Sequence, residues 1–225
     1  MRGAAKALGG TLNTSFVTAV AHAAGKYHRE LGAPVESLRA SMAISTRNES
    51  SGSNAFTLAR MLVPTADMPI AERFSAINEI LVAARTGAES SALEALATVS
   101  GVVPTSIVTR LARSQAETVD FATSNVRSAG VPLFMAGSQL MENYPVGPLG
   151  GVAFNVTMMS YLGSLDCGIN IDEAAVESPS LLRDSLSQAF TELSAFAPAR
   201  ENSSSASKAE EGATKRQRRW WRRSQ

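Results

Sequence analysis

Residues 21–28 read Ala-His-Ala-Ala-Gly-Lys-Tyr-His and hold both histidines of this 225-residue chain. Imidazole is the side chain whose ordinary pKa suits proton transfer near neutral pH, so His22 and His28 are the first candidates for a general base. Their surroundings argue against the role. Phe16, Val20, Ala24, Tyr27 and Leu31 recur at helical spacing behind Thr11, a good N-cap residue after Gly9-Gly10, and Gly32 and Pro34 close the helix. On that helix His22 lies about 200° from Val20, on the polar side, and His28 falls on the flank. Six residues apart, the two cannot share one face or one metal. The expectation is two solvated surface histidines.

Other chemistry is equally thin. The chain has no Cys-x-x-Cys, no His-x-x-x-His and no tight carboxylate cluster, so metal catalysis lacks a candidate. Gly9-Gly10 and Gly150-Gly151 lack phosphate-loop spacing and read as turns. No serine is matched to a base in a triad pattern. Cys167 is the single cysteine, which rules out an intrachain disulfide and suits a reducing cytosol.

The elements that would position a site are easier to read. Leu38–Arg47 and Phe56–Val63 read as strands around a polar loop, the second stopped by Pro64. Ile70, Phe74, Ile77, Leu81 and Ala84 form a helical stripe behind Pro69, and shorter helical patterns run from Ser90 to Gln115. Strand signals return at Thr118–Val126 and at Val131–Gly137. Val152, Phe154, Val156 and Met158 alternate with Ala153, Asn155, Thr157 and Met159. Beyond a turn at Gly163-Ser164, Leu165, Cys167, Ile169 and Ile171 continue the alternation, predicting a β-hairpin with one apolar and one polar face. Ser178-Pro179 opens a last helix with a stripe of Leu182, Leu186, Phe190 and Leu193. The predicted class is α+β, or α/β with antiparallel strands, with helices on a mixed sheet.

Composition agrees with a folded body: 44% of residues are hydrophobic and 18% charged. The formal charge of +1 conceals segregation, because the tail Lys-Arg-Gln-Arg-Arg-Trp-Trp-Arg-Arg-Ser-Gln holds six of the 21 Lys/Arg and none of the 20 acids. The rest carries fifteen basic residues against twenty acidic ones. Residues 1–197 read as one domain, 198–214 as a flexible linker rich in Ser, Ala, Glu and Lys, and 215–225 as a basic tail. Arg218, Arg219, Trp220, Trp221, Arg222 and Arg223 suit an anionic lipid surface, with nucleic acid the weaker partner. The first residues resemble a secretory signal only in part, since Gly-Gly-Thr-Leu-Asn-Thr-Ser-Phe is too polar for its apolar region. No run approaches the ~18 to 20 apolar residues of a spanning helix. The expected location is the cytoplasm, peripheral on membranes or lipid droplets.

One series of motifs goes further. "SNVRSAGVPLFMAG", then "YPVGPLGGVAFNVTMMSYLGSLDCGINID", resembles the C-terminal half of the bacterial wax ester synthase/acyl-CoA:diacylglycerol acyltransferase family. Upstream, "LGGTLNTSFVTAVAHAAGKY" resembles that family's Gly-Gly-Thr-Val-Asn-Asp helix, and "LRASMAISTRNESSGSNAF" its Leu-Arg-x-x-x-Pro-Val-Ser-x-Arg and Gly-x-Asn segments. The matches keep the family's order from Leu8 to Phe196.

The resemblance implies one half of a CoA-dependent acyltransferase fold: two similar domains enclosing a substrate tunnel, with acyl-CoA as co-substrate and no bound cofactor. The implied reaction forms triacylglycerol or wax esters by acylating diacylglycerol or a long-chain alcohol. In such enzymes the second His of a His-His-x-x-x-Asp-Gly motif in the N-terminal half deprotonates the acceptor hydroxyl. This chain has no His-His pair, so the resemblance implies that the base resides on a partner half and that neither His22 nor His28 replaces it. Inactivity alone is the expectation, and a non-catalytic lipid-surface or interaction protein derived from this domain is the alternative. Exposed apolar surface and unpaired strand edges are expected where the other half would sit. Asn13, Asn125, Gly130, Pro132 and Asn155 are the tunnel-lining or structural candidates. Two departures stand out: Thr14 replaces the family's Asp at the third helical position, and Arg127-Ser128-Ala129 replaces a Pro-Gly-Pro turn. Thr14 is expected to forgo a capping carboxylate worth about 0.5 to 1 kcal/mol.

Overall fold

A computed structural model of the chain describes residues 1–45, 56–88 and 118–198. The helical patterns expected between Ser90 and Gln115, most of the linker and the basic tail lie outside the described residues.

Among the described residues, β1 (Ser37–Ser45), β2 (Phe56–Pro64), β3 (Phe121–Arg127), β6 (Phe154–Tyr161) and β7 (Ser164–Ile171) form one sheet in the order β2-β1-β3-β6-β7. The outer pairs are antiparallel and the inner pairs β1–β3 and β3–β6 parallel, so the sheet is mixed as expected. Between β3 and β6 the chain forms only the two-residue strands β4 (Phe134–Met135) and β5 (Ser138–Gln139). The segment Val131–Gly137 therefore holds its predicted strand only as Phe134–Met135, outside the main sheet. It is an exposed hairpin around Ala136 and Gly137, both at positive φ.

Helices α1 (Arg2–Ala7), α2 (Leu12–Glu30), α3 (Ile70–Ala88) and α4 (Pro179–Ser194) accompany the sheet. Ala40, Met42, Ala59, Met61, Val63, Phe121, Phe154, Val156 and Met158 point from the strands into one core with Phe16, Val17, Val20, Phe74, Ile77, Leu182, Leu186 and Leu193. Burial of such side chains at about 1.5–3 kcal/mol each is the main driving force for this face. α2 is buried on more sides than its predicted stripe required, because small residues from Ala19 to Gly25 admit neighbours closely. A Cβ at Gly25 would collide with the Thr65 carbonyl in the turn between β2 and α3.

That turn is held by Arg73. It is fully buried, and donates to the carbonyls of Pro64 and, at 2.5 Å, Ala66. Burial, then repulsion from Arg29, brings its pKa down to about 10, still charged at neutral pH.

The predicted hairpin exists as β6–β7 with two corrections. Its turn residues are Leu162 and Gly163, at φ 45° and 91°, so the turn lies one residue earlier than predicted and has the two positive φ angles of a type I′ turn. Its polar face is not a water-facing one. Asn155 and Thr157 are 5% and 4% exposed, covered by residues 143–149. A Cβ on Gly147 would meet Asn155 and Thr157, and one on Gly168 would strike the Pro145 carbonyl.

Candidate functional site

The sequence candidates divide between the two faces of the sheet. On the helix face, the first turn of α2 is built by Thr11: its hydroxyl accepts from the Thr14 N–H at 3.1 Å, and the Thr14 hydroxyl accepts from the Thr11 N–H at 3.3 Å. The capping box is thus complete with two hydroxyls, while the first turn of α2 carries no acidic residue, so the carboxylate charge is absent as expected. Thr14 also donates to Asn78 Oδ1 on α3 at 2.9 Å. Beside it, Asn125 Nδ2 on β3 donates to Asn13 Oδ1 at 2.6 Å, joining positions 112 residues apart.

Asn13 and Asn125 are both half-buried. Gly10 fits the turn before α2 because a Cβ there would stand 2.6 Å from the Phe74 ring and 2.9 Å from Asn78. Next to this polar junction lies a depression of about 40 Å³, lined by Asn13, Thr14, Met42, Asn78 and Arg85 among others. It has room for a water or two and not for a substrate. The sequence reading missed Asn78, although a polar residue four positions after Phe74 on an otherwise apolar stripe was a usable signal.

Gly130 and Pro132 sit apart, exposed at the base of the arm between β3 and β6. Asn155 is on the opposite face, where Nδ2 donates to the Pro148 carbonyl at 2.8 Å and Oδ1 accepts from the Thr157 hydroxyl at 2.9 Å. Arg127 ends β3 exposed. The structure therefore unites Asn13 with Asn125 and leaves the other three candidates elsewhere. The lipid-surface candidates from Arg218 to Arg223 lie outside the described residues.

Neither histidine is arranged as a free base. His22 is not the solvated residue expected from the helical wheel: its side chain is 14% exposed, Nε2 stands 3.6 Å from Glu192 on α4, and Nδ1 is buried with no partner. Burial first, then the nearby Arg73 charge, lowers its pKa, with Glu192 opposing. The wheel failed because α4 covers the side of α2 that an isolated helix would show to water. His28 is half-buried, with its ring edge-on to Tyr27 at 5.7 Å.

The arm presents a different surface. Phe134 is 67% exposed, Met135 73% and Val146 85%, with Val131, Met141 and Tyr144 also open. The Tyr161 hydroxyl holds its base, accepting from the Leu133 N–H at 3.0 Å and donating to the Leu140 carbonyl at 2.9 Å. Asp166 accepts from the Asn143 N–H at 2.9 Å. Among the described strands β2 and β7 are the sheet edges, and Leu58 and Leu62 on β2 are exposed. Apolar surface and open edges are thus both present. No described helix is long and apolar enough to cross a membrane.

Comparison with known proteins supplies the context for this geometry. Residues 52–194 match the family described as the WS/DGAT C-terminal domain. Two Mycobacterium tuberculosis proteins, from strains CDC 1551 and H37Rv, carry provisional names as diacylglycerol O-acyltransferases; each is 28% identical over 201 residues, covering 86% of this chain. The chain spans 40% of the length of these curated relatives. Among solved structures, the wax ester synthase/diacylglycerol acyltransferase of Marinobacter aquaeolei VT8 superposes with a TM-score of 0.65 at 22% identity, covering 88% of this chain and 46% of its own. The nonribosomal peptide synthetase FmoA3 gives 0.58 at 14% identity, covering 87% of this chain and 21% of its own. At these identities the likeness is one of fold: a mixed sheet with flanking helices shared by acyltransferases and multidomain synthetases.

Proposed function

Since the chain belongs to the WS/DGAT C-terminal domain family, we propose that it supplies the C-terminal part of an O-acyltransferase. The reaction would move an acyl group from acyl-CoA to diacylglycerol or a long-chain alcohol, and the chain would turn over no substrate alone. The observation that carries this reading is the Asn13–Asn125 hydrogen bond. It fixes the start of α2 against the end of β3, at residues that the motif resemblance had already singled out, and so holds an edge of polar side chains for a site completed elsewhere. Acyl transfer to a hydroxyl needs a base within hydrogen-bond reach. His22, enclosed by α2, α3 and α4, is poorly placed for that. The base would come from an N-terminal half bearing His-His-x-x-x-Asp-Gly, and the exposed apolar arm is a suitable surface for docking it.

The test is complementation. Chain is assayed with acyl-CoA and each acceptor, alone and mixed with a separately expressed N-terminal half. Turnover only in the mixture, reduced about tenfold or more by Asn125→Ala, is the expected result. Turnover by the chain alone that disappears in His22→Ala or His28→Ala overturns it.

Charge segregation favours a second reading, a non-catalytic protein of lipid surfaces. Lys215, Arg216, Arg218, Arg219, Arg222 and Arg223 would supply the attraction, and Trp220 and Trp221 interfacial burial. Deleting residues 215–225 should then abolish sedimentation with anionic vesicles. Salt should weaken the charge contribution as the Debye length shortens from about 10 Å at 0.1 M to about 3 Å at 1 M. Tighter binding of the tail to RNA at matched ionic strength, with no Trp fluorescence change on adding vesicles, removes this reading.

A further inference from the structure

One amide on α3 sets the direction of the hydroxyl bonds at the start of α2. Thr14 is 1% exposed, so the single proton of its hydroxyl needs an acceptor within the protein. The Asn78 side-chain oxygen takes it at 2.9 Å, and a carbonyl oxygen can only accept. Thr14 then has no proton left for Thr11, so the 2.9 Å contact between the two hydroxyls carries the Thr11 proton. With the Thr11 N–H also arriving at 3.3 Å, both lone pairs of the Thr14 oxygen are filled, while the Thr11 oxygen receives the Thr14 N–H. Asn78 is thus the terminal acceptor of a chain that runs from Thr11 through Thr14 to α3.

The same Asn78 oxygen is the atom that a Cβ on Gly10 would approach to 2.9 Å, so the backbone entering α2 also rests against it. Towards the other end of the helix, Gly25 is seated on Thr65 in the turn that leads into α3. α2 is therefore fixed to β2 and α3 at two places, by close packing at Gly25 and by a directional polar bond at Thr14. Asn13 is the neighbour of Thr14. Successive helical residues are turned by about 100°, so the rotation of the first turn that brings Thr14 to Asn78 also decides whether Asn13 meets Asn125 on β3.

We propose that Asn78 is a positioning residue for the site edge at Asn13–Asn125, acting through Thr14 and by means of its acceptor oxygen. The assignment rests on the O-acyltransferase reading, in which that edge borders the reacting groups. Loss of the acceptor would free the first turn of α2 to rotate and would weaken the Asn13–Asn125 bond. It would remove no group that binds acyl-CoA, so kcat should fall while KM for acyl-CoA stays unchanged.

Two readouts test this, one of them independent of turnover. In NMR spectra of the isotope-labelled full chain, the Asn125 side-chain amide should shift and its protons exchange about threefold faster or more in Asn78→Leu, which is close to asparagine in shape and lacks the acceptor. Thr14→Val, which lacks the hydroxyl, should do the same. Asn78→Asp keeps an acceptor oxygen and should restore the signal. In the mixture with the N-terminal half, kcat should fall about tenfold in Asn78→Leu and in Thr14→Val, and no further in the double variant than in Thr14→Val, because the same bond is lost each time. Asn78→Asp should recover most of that turnover, whereas a general loss of stability would give additive losses and no rescue. An Asn125 amide unperturbed in both folded variants, or additive kcat losses without rescue by Asp, overturns the assignment. An Asn125 amide that responds as expected in a chain whose mixture shows no turnover supports the link to Asn78 and removes the acyltransferase reading instead.

Discussion

The two faces of the sheet are closed by different means. On the helix face, large side chains of α2, α3 and α4 fill the core directly, and the close approach of Gly25 to Thr65 leaves no slack. On the other face, β6 and β7 are covered by irregular chain, fixed by the Asn155–Pro148 bond, the Asp166–Asn143 bond and the Tyr161 hydroxyl. The arm fixed in this way turns Phe134, Met135 and Val146 outward. Packing makes the first face a stability element, because most of its apolar side chains are buried in the core. Polar pins make the second a presentation element, because they position the backbone and leave the apolar side chains free.

If that contrast is right, crowding the helix face should have the largest effect. Gly25→Ala should cost about 3 kcal/mol or unfold the chain, since its Cβ meets backbone and not a movable side-chain end. Gly130→Ala, with nothing within 4 Å of its Cβ, should be nearly neutral. Chemical denaturation of the two variants checks both, and similar losses would break the contrast.

Removing a pin should act locally. Tyr161→Phe should cost about 1 kcal/mol, because the Leu133 and Leu140 groups that it releases lie near water. Hydrogen exchange at the Leu133 amide should accelerate well beyond exchange in α2. Uniform acceleration throughout the sheet would mean that the pin supports the core as well.

Acid should act on the helix face by a smaller amount. The His22 pKa is lowered from 6.5 in the folded chain, chiefly by burial, so the folded state binds fewer protons than the unfolded one between its lowered value and 6.5. The contribution is fully present above about pH 6.5 and is lost as pH falls through the folded value. Glu192 on α4 offsets part of it, while Arg73, Arg29 and Lys26 add to it. The melting temperature should drop between pH 7.5 and 5.5, and His22→Asn should flatten that slope; an unchanged slope places the acid sensitivity elsewhere.

The smallest expected effect is a gain. Leu162 holds a positive φ where Asn is better suited, so Leu162→Asn should stabilise the β6–β7 hairpin by about 0.5 to 1 kcal/mol. The arm hairpin offers the same change at Ala136. There it should alter exchange within the arm and leave the global midpoint unchanged.

Much of the fold was legible because its signals are local. Thr11 and Gly32 bracket α2, Pro69 precedes α3, Ser178-Pro179 opens α4, and strict alternation marks β6 and β7. The site was legible in part. Asn13 and Asn125 could be named from motif order, but no periodicity links residues 112 apart. Asn78 and Arg73 lie on one helix whose wheel does not show what approaches it. In residues 131–137 the strand shrinks to Phe134–Met135, because apolar content alone cannot tell a buried strand from an exposed hairpin.

The sequence by itself determined the helix and strand periods, the single thiol, the pair of histidines and the separation of acidic body from basic tail, since each is a property of neighbouring residues or of composition. Tertiary structure decided which polar residues are buried. His22 lost its expected water to α4, Thr157 and Asn155 lost theirs to residues 143–149, and Asn13 gained Asn125 as a partner. The physical reason is that desolvation and hydrogen bonding depend on which surfaces meet, and that meeting is set by packing across distant parts of the chain.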